Sequence, residues 1–209
     1  MEDYRTIRGT ATGEYEEKKS RFIAQLSFAD SEEKAVAFLE QVRAANRTAR
    51  HNVYAYRLRE GNRERYSDDG EPAKTAGTPA LEVLQHSGLT DLVVVITRYF
   101  GGVLLGTGGL VRAYSSAVKE GIAASKIGTM RYGVRLKICT DYNGIGRIQY
   151  ILRQNGLEAE DTVYTDQVEL TVLLAAECVP GLKKEIIEAT AAKAGIEEVE
   201  KLYFVAPDA

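Results

Sequence analysis

The chain is poor in the residues that carry thiol and metal chemistry. Of its 209 residues only two are cysteine, Cys139 and Cys178, and only two are histidine, His51 and His86. Two thiols are too few for a disulfide scaffold or a thiolate metal site, and reduced cysteines are the default reading. Two histidines without patterned cysteines argue against a transition-metal site, so no metal and no resident cofactor are expected. No hydrophobic run approaches the length of a membrane span; the most apolar piece, Leu92 to Ile96, is a strand's worth. The opening residues Met-Glu-Asp-Tyr-Arg lack the apolar core and small-residue cleavage site of a signal peptide. A cytoplasmic protein without a membrane partner is therefore expected. Two common phosphate motifs are missing as well: no Gly-Lys-Ser/Thr closes a Walker loop, and no Gly-x-Gly-x-x-Gly register fits. No elbow motif frames Ser67, Thr75, Thr78 or Thr107, so a histidine-assisted hydrolase lacks a marked nucleophile.

What is present is an ordinary globular composition, 44% hydrophobic and 27% charged, long enough for one large domain or two small ones. The net charge of -3 argues mildly against a protein whose whole surface binds nucleic acid. Its distribution is uneven. Seven arginines lie between Arg43 and Arg65 against Glu60 and Glu64, whereas residues 131–209 carry nine basic and thirteen acidic side chains. A polyanion, if one binds, belongs to the N-terminal part, with Arg57, Arg59, Arg63 and Arg65 as candidate nucleic-acid contacts. The competing reading is that these four decorate an exposed hairpin end.

Strands are expected at Thr10 to Tyr15 and Arg21 to Phe28. A helix follows, started by Ser31 with Glu32 and Glu33 and carrying Ala35, Val36, Phe38, Leu39 and Val42 on one face. A strand over Val53 to Leu58 leads into a long polar loop from Glu60 to Gly77, which is either mobile or functional. Thr78-Pro79 opens a helix ending at Gly88, where His86 can help cap carbonyls. Strand Leu92 to Thr97 precedes a second helix with the stripe Leu110, Val111, Tyr114, Val118 and Ile122. A boundary falls near Gly128, dividing residues 1–129 from 130–209. Beyond it the expected order is strand Val134 to Thr140, helix Ile145 to Gln154, strands Leu157 to Tyr164 and Gln167 to Ala175, helix Pro180 to Ala194, and strand Glu197 to Val205. This β-α-β-β-α-β order is the ferredoxin-like split unit. Val168 to Leu174 carries no aromatic on which RNA bases could stack, so a structural or protein-contacting role is expected there.

The richest stretch runs from Arg98 to Ser115, where Gly101, Gly102, Gly106, Gly108 and Gly109 separate a strand from a helix. Amides without partners at a helix start attract anions, and Arg98 and Arg112 bracket this one. With Thr107 and Lys74 these residues form a candidate anion site; the bland reading is that the glycines only permit tight packing. Asp68, Asp69 and Glu71 lie close enough in sequence to hold magnesium or to serve, with His51, as acid and base. The alternative, favoured here, is a turn whose acids bond backbone.

Three blocks carry a resemblance: His51-Asn-Val-Tyr-Ala-Tyr56, Tyr66-Ser-Asp-Asp-Gly-Glu-Pro-Ala-Lys-Thr-Ala-Gly-Thr-Pro-Ala-Leu-Glu-Val-Leu84, and the glycine-rich stretch. In that order they resemble the IMPACT family in its bacterial YigZ branch, from about Ser20 to the C-terminus. Where this chain has Lys74, members more often carry a small residue, commonly glycine. The resemblance implies an α+β protein: an N-terminal β/α sandwich like domain IV of elongation factor G, its sheet covered by helices on one side, then a ferredoxin-like domain like that factor's domain V. It also implies translational control, the role of eukaryotic members; their extra N-terminal domain has no room in this chain. Two functions follow. One is a non-catalytic regulator binding RNA, the ribosome or a translation-associated protein through its N-terminal domain. The other is an enzyme acting on a phosphorylated or carboxylate-bearing small molecule at the glycine-rich loop, the one case in which magnesium would enter.

Overall fold

The computed structural model describes residues 2–206. The chain divides into a unit of Tyr4–Thr129 and a second unit that begins at Met130 and takes in Glu2 and Asp3. The first unit contains β1 (Tyr4–Ile7), β2 (Thr10–Glu17), β3 (Ser20–Phe28), α1 (Glu32–Ala45), β4 (His51–Leu58), β5 (Arg63–Ser67), α2 (Gly77–Ser87), β6 (Leu92–Tyr99) and α3 (Gly106–Ala123). β7 (Ile127–Thr140) leads into the second, followed by α4 (Ile145–Gln154), β8 (Ala159–Tyr164), β9 (Val168–Ala175), α5 (Val179–Ala189) and β10 (Gly195–Val205). The result is a mixed α+β protein whose described strand pairings are antiparallel.

The first sheet has the order β2-β3-β6-β4-β5. Its centre is β6, where Leu92, Val93, Val94, Val95 and Ile96 are all fully buried. An unbroken apolar run of this kind belongs to a strand covered on both faces, and that is what the packing shows. Leu92, Val94 and Ile96 join a core built with Leu84 of α2 and Leu110, Tyr114 and Val118 of α3. Val93 and Val95 point the other way, toward Ala35, Leu39 and Val42 of α1. The expectation of helices on one side of the sheet is thus corrected: α1 covers the second face. Each such side chain contributes about 1.5–3 kcal/mol of burial, so β6 is the strand that holds the two layers together.

Ser31 caps α1, its hydroxyl accepting from the Lys34 amide at 3.3 Å. The expected loop between Glu60 and Gly77 contains β5, which pairs Arg65 with Tyr56 and Arg63 with Leu58. β5 is a charged edge strand, largely exposed, so no hydrophobic alternation announces it. The four-residue β1, which contributes Ile7 to the core, also lies outside the expected strands.

In the second unit the strand order is β10-β7-β9-β8, with α4 and α5 as the connections. Alternate residues Leu136 and Ile138 of β7 and Leu170 and Val172 of β9 pack on Ile148 of α4 and Ile186 of α5. Two boundaries differ from expectation by five residues or more. β7 starts at Ile127, so Gly128 lies inside a strand. α5 stops at Ala189 because the chain leaves the helix through positive φ at Ala191 and Ala192.

Candidate functional site

Register brings the separate motifs together at one end of the first sheet. β4 and β6 pair His51 with Arg98, and β3 and β6 pair Arg21 with Tyr99. The start of β4, the start of β3 and the exit of β6 therefore share an edge, from which Phe100 to Leu105 runs into α3.

The acidic turn lies beside His51, and its three carboxylates have structural partners. Asp68 Oδ1 accepts from the amides of Ala76 (3.0 Å) and Gly77 (2.8 Å), and Oδ2 from that of Lys74 (2.9 Å). α2 has no side-chain cap from its own N-cap residue, Ala76, so Asp68 serves in that place. Asp69 Oδ2 accepts from the Asn52 amide at 2.7 Å and Oδ1 from Arg43 at 3.2 Å. The Asp69 carbonyl lies 2.8 Å from His51 Nδ1; a carbonyl only accepts, so Nδ1 is the donor. Glu71 is buried, 8% exposed, and Oε1 accepts from both Arg98 Nη1 (2.6 Å) and the Tyr114 hydroxyl (2.8 Å). Burial, with the Glu71 carboxylate beside it, pushes the Tyr114 phenol well above the ordinary tyrosine range. Among the described residues no group of three or more His, Cys, Asp and Glu side chains is arranged to hold a metal ion.

Arg98 is itself 8% exposed, its guanidinium lying 5.5 Å from the Phe22 ring centroid and 5.6 Å from that of Phe100. Nη1 is taken by Glu71, whereas Nε is buried without a hydrogen-bond partner. Arg98 forms part of the wall of a cleft of about 490 Å³, with Thr48, Arg50, His51, Tyr99, Phe100 and Leu104. Phe100 is 51% exposed and Leu104 82%.

The glycine-rich stretch divides by role. Gly101 packs on the β2–β3 turn so closely that a Cβ would meet the Lys19 carbonyl carbon at 2.1 Å, and its amide bonds the Ser20 hydroxyl at 3.0 Å. Gly102 and Gly106 take positive φ, 86° and 71°, and turn the chain into α3. Gly109 is buried against Leu105, and α3 starts with Thr107 and Gly108 exposed and no side-chain cap. Arg112 is exposed, near Gly108. Lys74 is exposed and adopts φ 64°, a conformation suited to glycine.

The basic residues also divide. Arg57 pairs with Glu64 at 3.0 Å, Arg59 with the buried Asp91 at 3.7 Å, and Arg63 with Glu32 at 2.7 Å; of the four candidate nucleic-acid arginines only Arg65 makes no ion pair with the described residues. At the cleft end of the sheet, by contrast, Lys18, Lys19, Arg47, Arg50, Lys74 and Arg112 are exposed and have no carboxylate within ion-pair distance among the described residues. Sequence reasoning did not find the Arg98–Glu71–Tyr114 cluster, whose members are far apart in the chain, nor the Asn52 and Arg43 anchors of Asp69.

Comparison with known proteins comes down on the same blocks. The family model described as Impact N-terminal domain matches residues 18–122, and one described as a domain of unknown function (DUF1949) matches residues 139–193. The IMPACT family member YvyE of Bacillus subtilis is 33% identical over 97% of this chain and 94% of its own. The IMPACT family member YigZ of Escherichia coli is 44% identical over 58% of this chain and 61% of its own. A solved structure described as that of a hypothetical protein superposes with a TM-score of 0.64 at 33% identity, covering 96% of this chain and 98% of that one.

Proposed function

Because the chain belongs to the IMPACT family, we propose that it is a non-catalytic regulator of translation that binds RNA through the cleft end of its first unit. One observation carries the reading. At that end Asp68, Asp69 and Glu71 are spent on the scaffold, while six exposed cations are left unpaired among the described residues against one exposed, unpaired acid, Glu16. Asp68, Asp69 and Glu71 hold backbone amides, Arg43, Arg98 and Tyr114, which supports a binding surface over acid–base work. Unpaired lysines and arginines beside a half-exposed aromatic are the two elements of a single-strand binder: charge for the phosphates, a ring for the bases.

The role in translation comes from the family resemblance, as does the likeness of the first unit to domain IV of elongation factor G. The strand order β10-β7-β9-β8 supports a ferredoxin-like reading of the second unit, like that factor's domain V. Fold likeness to a ribosome-binding factor makes the ribosome the natural place for this RNA, in the cytoplasm. Among the described residues no helix is long and apolar enough to cross a membrane.

The test is titration of a labelled single-stranded RNA with the full chain across a salt series, with ribosome co-sedimentation alongside. Affinity should fall linearly on a log–log plot against salt. Reversing the charge of Lys19, Arg47 and Arg50 together should flatten the slope by about one unit for each phosphate no longer neutralised. A folded protein that binds neither RNA nor ribosomes rules the reading out.

A further inference from the structure

We propose that the cleft bounded by Arg50, His51, Arg98 and Phe100 anchors one nucleotide, its phosphate on Arg98 and its base on Phe100. This rests on the RNA-binding reading above and assigns the point of contact within it.

The first support is the state of Arg98. A guanidinium presents two edges for paired hydrogen bonding, and the one formed by Nε and Nη2 points away from Nη1. Glu71 occupies Nη1. Nε is buried and makes no hydrogen bond, and Nη2 makes none with the described residues. A buried donor left without an acceptor is costly. The fold maintains that cost on a side chain that forms part of a cleft wall. An oxyanion with two oxygens at guanidinium spacing satisfies both nitrogens at once, which a lysine in the same position could not do.

The neighbours select a phosphate. Arg50 is exposed at the cleft and unpaired among the described residues, and the His51 ring on the same wall is fixed by its Nδ1 contact with the Asp69 carbonyl. Glu71, the one acid in direct contact with Arg98, is held by Tyr114 as well and is almost wholly buried. Thr48 supplies a hydroxyl.

The third support is Phe100. The Arg98 guanidinium lies 5.6 Å from its centroid, yet the residue is 51% exposed, leaving ring surface for a base. Leu104, 82% exposed on the same wall, adds apolar area with no partner among the described residues. A volume of about 490 Å³ is within the range of sites that hold small ligands. Nε is covered, so seating a phosphate on the Nε–Nη2 edge includes a local shift of the atoms over it.

The phosphate and base could come from a free nucleotide or from a strand, and the experiment separates them. A fluorescein-labelled ten-residue oligouridine is titrated into the full chain and into Arg98→Lys, Arg50→Ala and Phe100→Ala, with UMP and AMP as competitors and a melting curve for each variant. Removal of stacking or of the fork should weaken oligouridine binding about tenfold in each variant. Phe100 and Arg50 are exposed, so their variants keep the test alive should Arg98→Lys fail to fold. Competition by UMP or AMP at millimolar concentration or below identifies a free nucleotide as sufficient; binding of oligouridine alone, weakened in Phe100→Ala, identifies the strand. Oligouridine binding that is unchanged in all the folded variants overturns this assignment and leaves the RNA-binding reading standing. Absence of binding by the unmodified protein overturns both.

Discussion

Asp68→Ala is the substitution that separates a scaffold acid from a chemical one. The carboxylate accepts three backbone amides, those of Lys74, Ala76 and Gly77. Ala76 and Gly77 are buried, and the sheet-facing side of α2 leaves water no ready path to them. Each amide stranded in this way costs about 1–2 kcal/mol, near the lower part of the range for a buried donor. The Lys74 amide, on an exposed residue, can turn to solvent and costs less, on the order of 0.5–1 kcal/mol. The sum is about 2.5–5 kcal/mol, a large part of the 5–15 kcal/mol typical of a domain. Asp68→Asn keeps one oxygen for Ala76 and Gly77 but turns an NH2 toward the Lys74 amide, so about 1–2 kcal/mol is expected. Urea unfolding followed by circular dichroism gives the total, and hydrogen–deuterium exchange read on peptides covering 74–84 locates it. Faster exchange should be confined to the first turns of α2 and the strands that contact them. An Asp68→Ala protein with unchanged midpoint and unchanged protection there would refute the scaffold role, and would return the carboxylate to the enzyme reading with magnesium.

Three further outcomes are expected. Lys74→Gly should stabilise the first unit by about 0.5–1 kcal/mol, the relief of a left-handed non-glycine conformation less the extra chain entropy of glycine; a lower urea midpoint would show that Lys74 makes a compensating contact. Tyr114 has a folded-state pKa raised above the ordinary value near 10, so its contribution is present below pH 10 and lost above it, at up to about 1.4 kcal/mol per pH unit; wild type should lose stability from pH 10 to 11 more steeply than Tyr114→Phe, and parallel curves would refute this. Cys178 is exposed, whereas burial and the neighbouring Glu169 push the Cys139 thiol up, so a thiol reagent at neutral pH should label Cys178 first by mass spectrometry.

The legible parts of this fold are those whose burial follows a simple period. α1 can be read from its apolar face and Ser31, and β6 from its five consecutive apolar residues. The same run also signals two covered faces, a message at odds with the expected one-sided sheet. β5 is illegible because its exposed, charged residues are strand only by virtue of pairing with β4, a non-local cause. The candidate site divides in the same manner. That the acids of this turn bond backbone can be argued from residue type, but their partners, amides six to nine residues ahead of Asp68 and the Asn52 amide for Asp69, come from the fold. That Arg98 faces His51, and that Glu71 lies between Arg98 and Tyr114, depends on strand register and on the placement of α3, which no spacing along the chain encodes.

The buried Arg98–Glu71–Tyr114 cluster has a consequence for protein engineering. Apolar replacements of similar volume for a buried ion pair are often neutral or more stable by about 1–4 kcal/mol, since two charges no longer have to leave water. Arg98→Met with Glu71→Leu and Tyr114→Phe is thus the kind of triple change that a stability-guided redesign selects early, and it should raise the melting temperature of the first unit. The same change removes the guanidinium from the cleft wall and the tether between the acidic turn and α3. A chain optimised for stability alone would lose its cleft first.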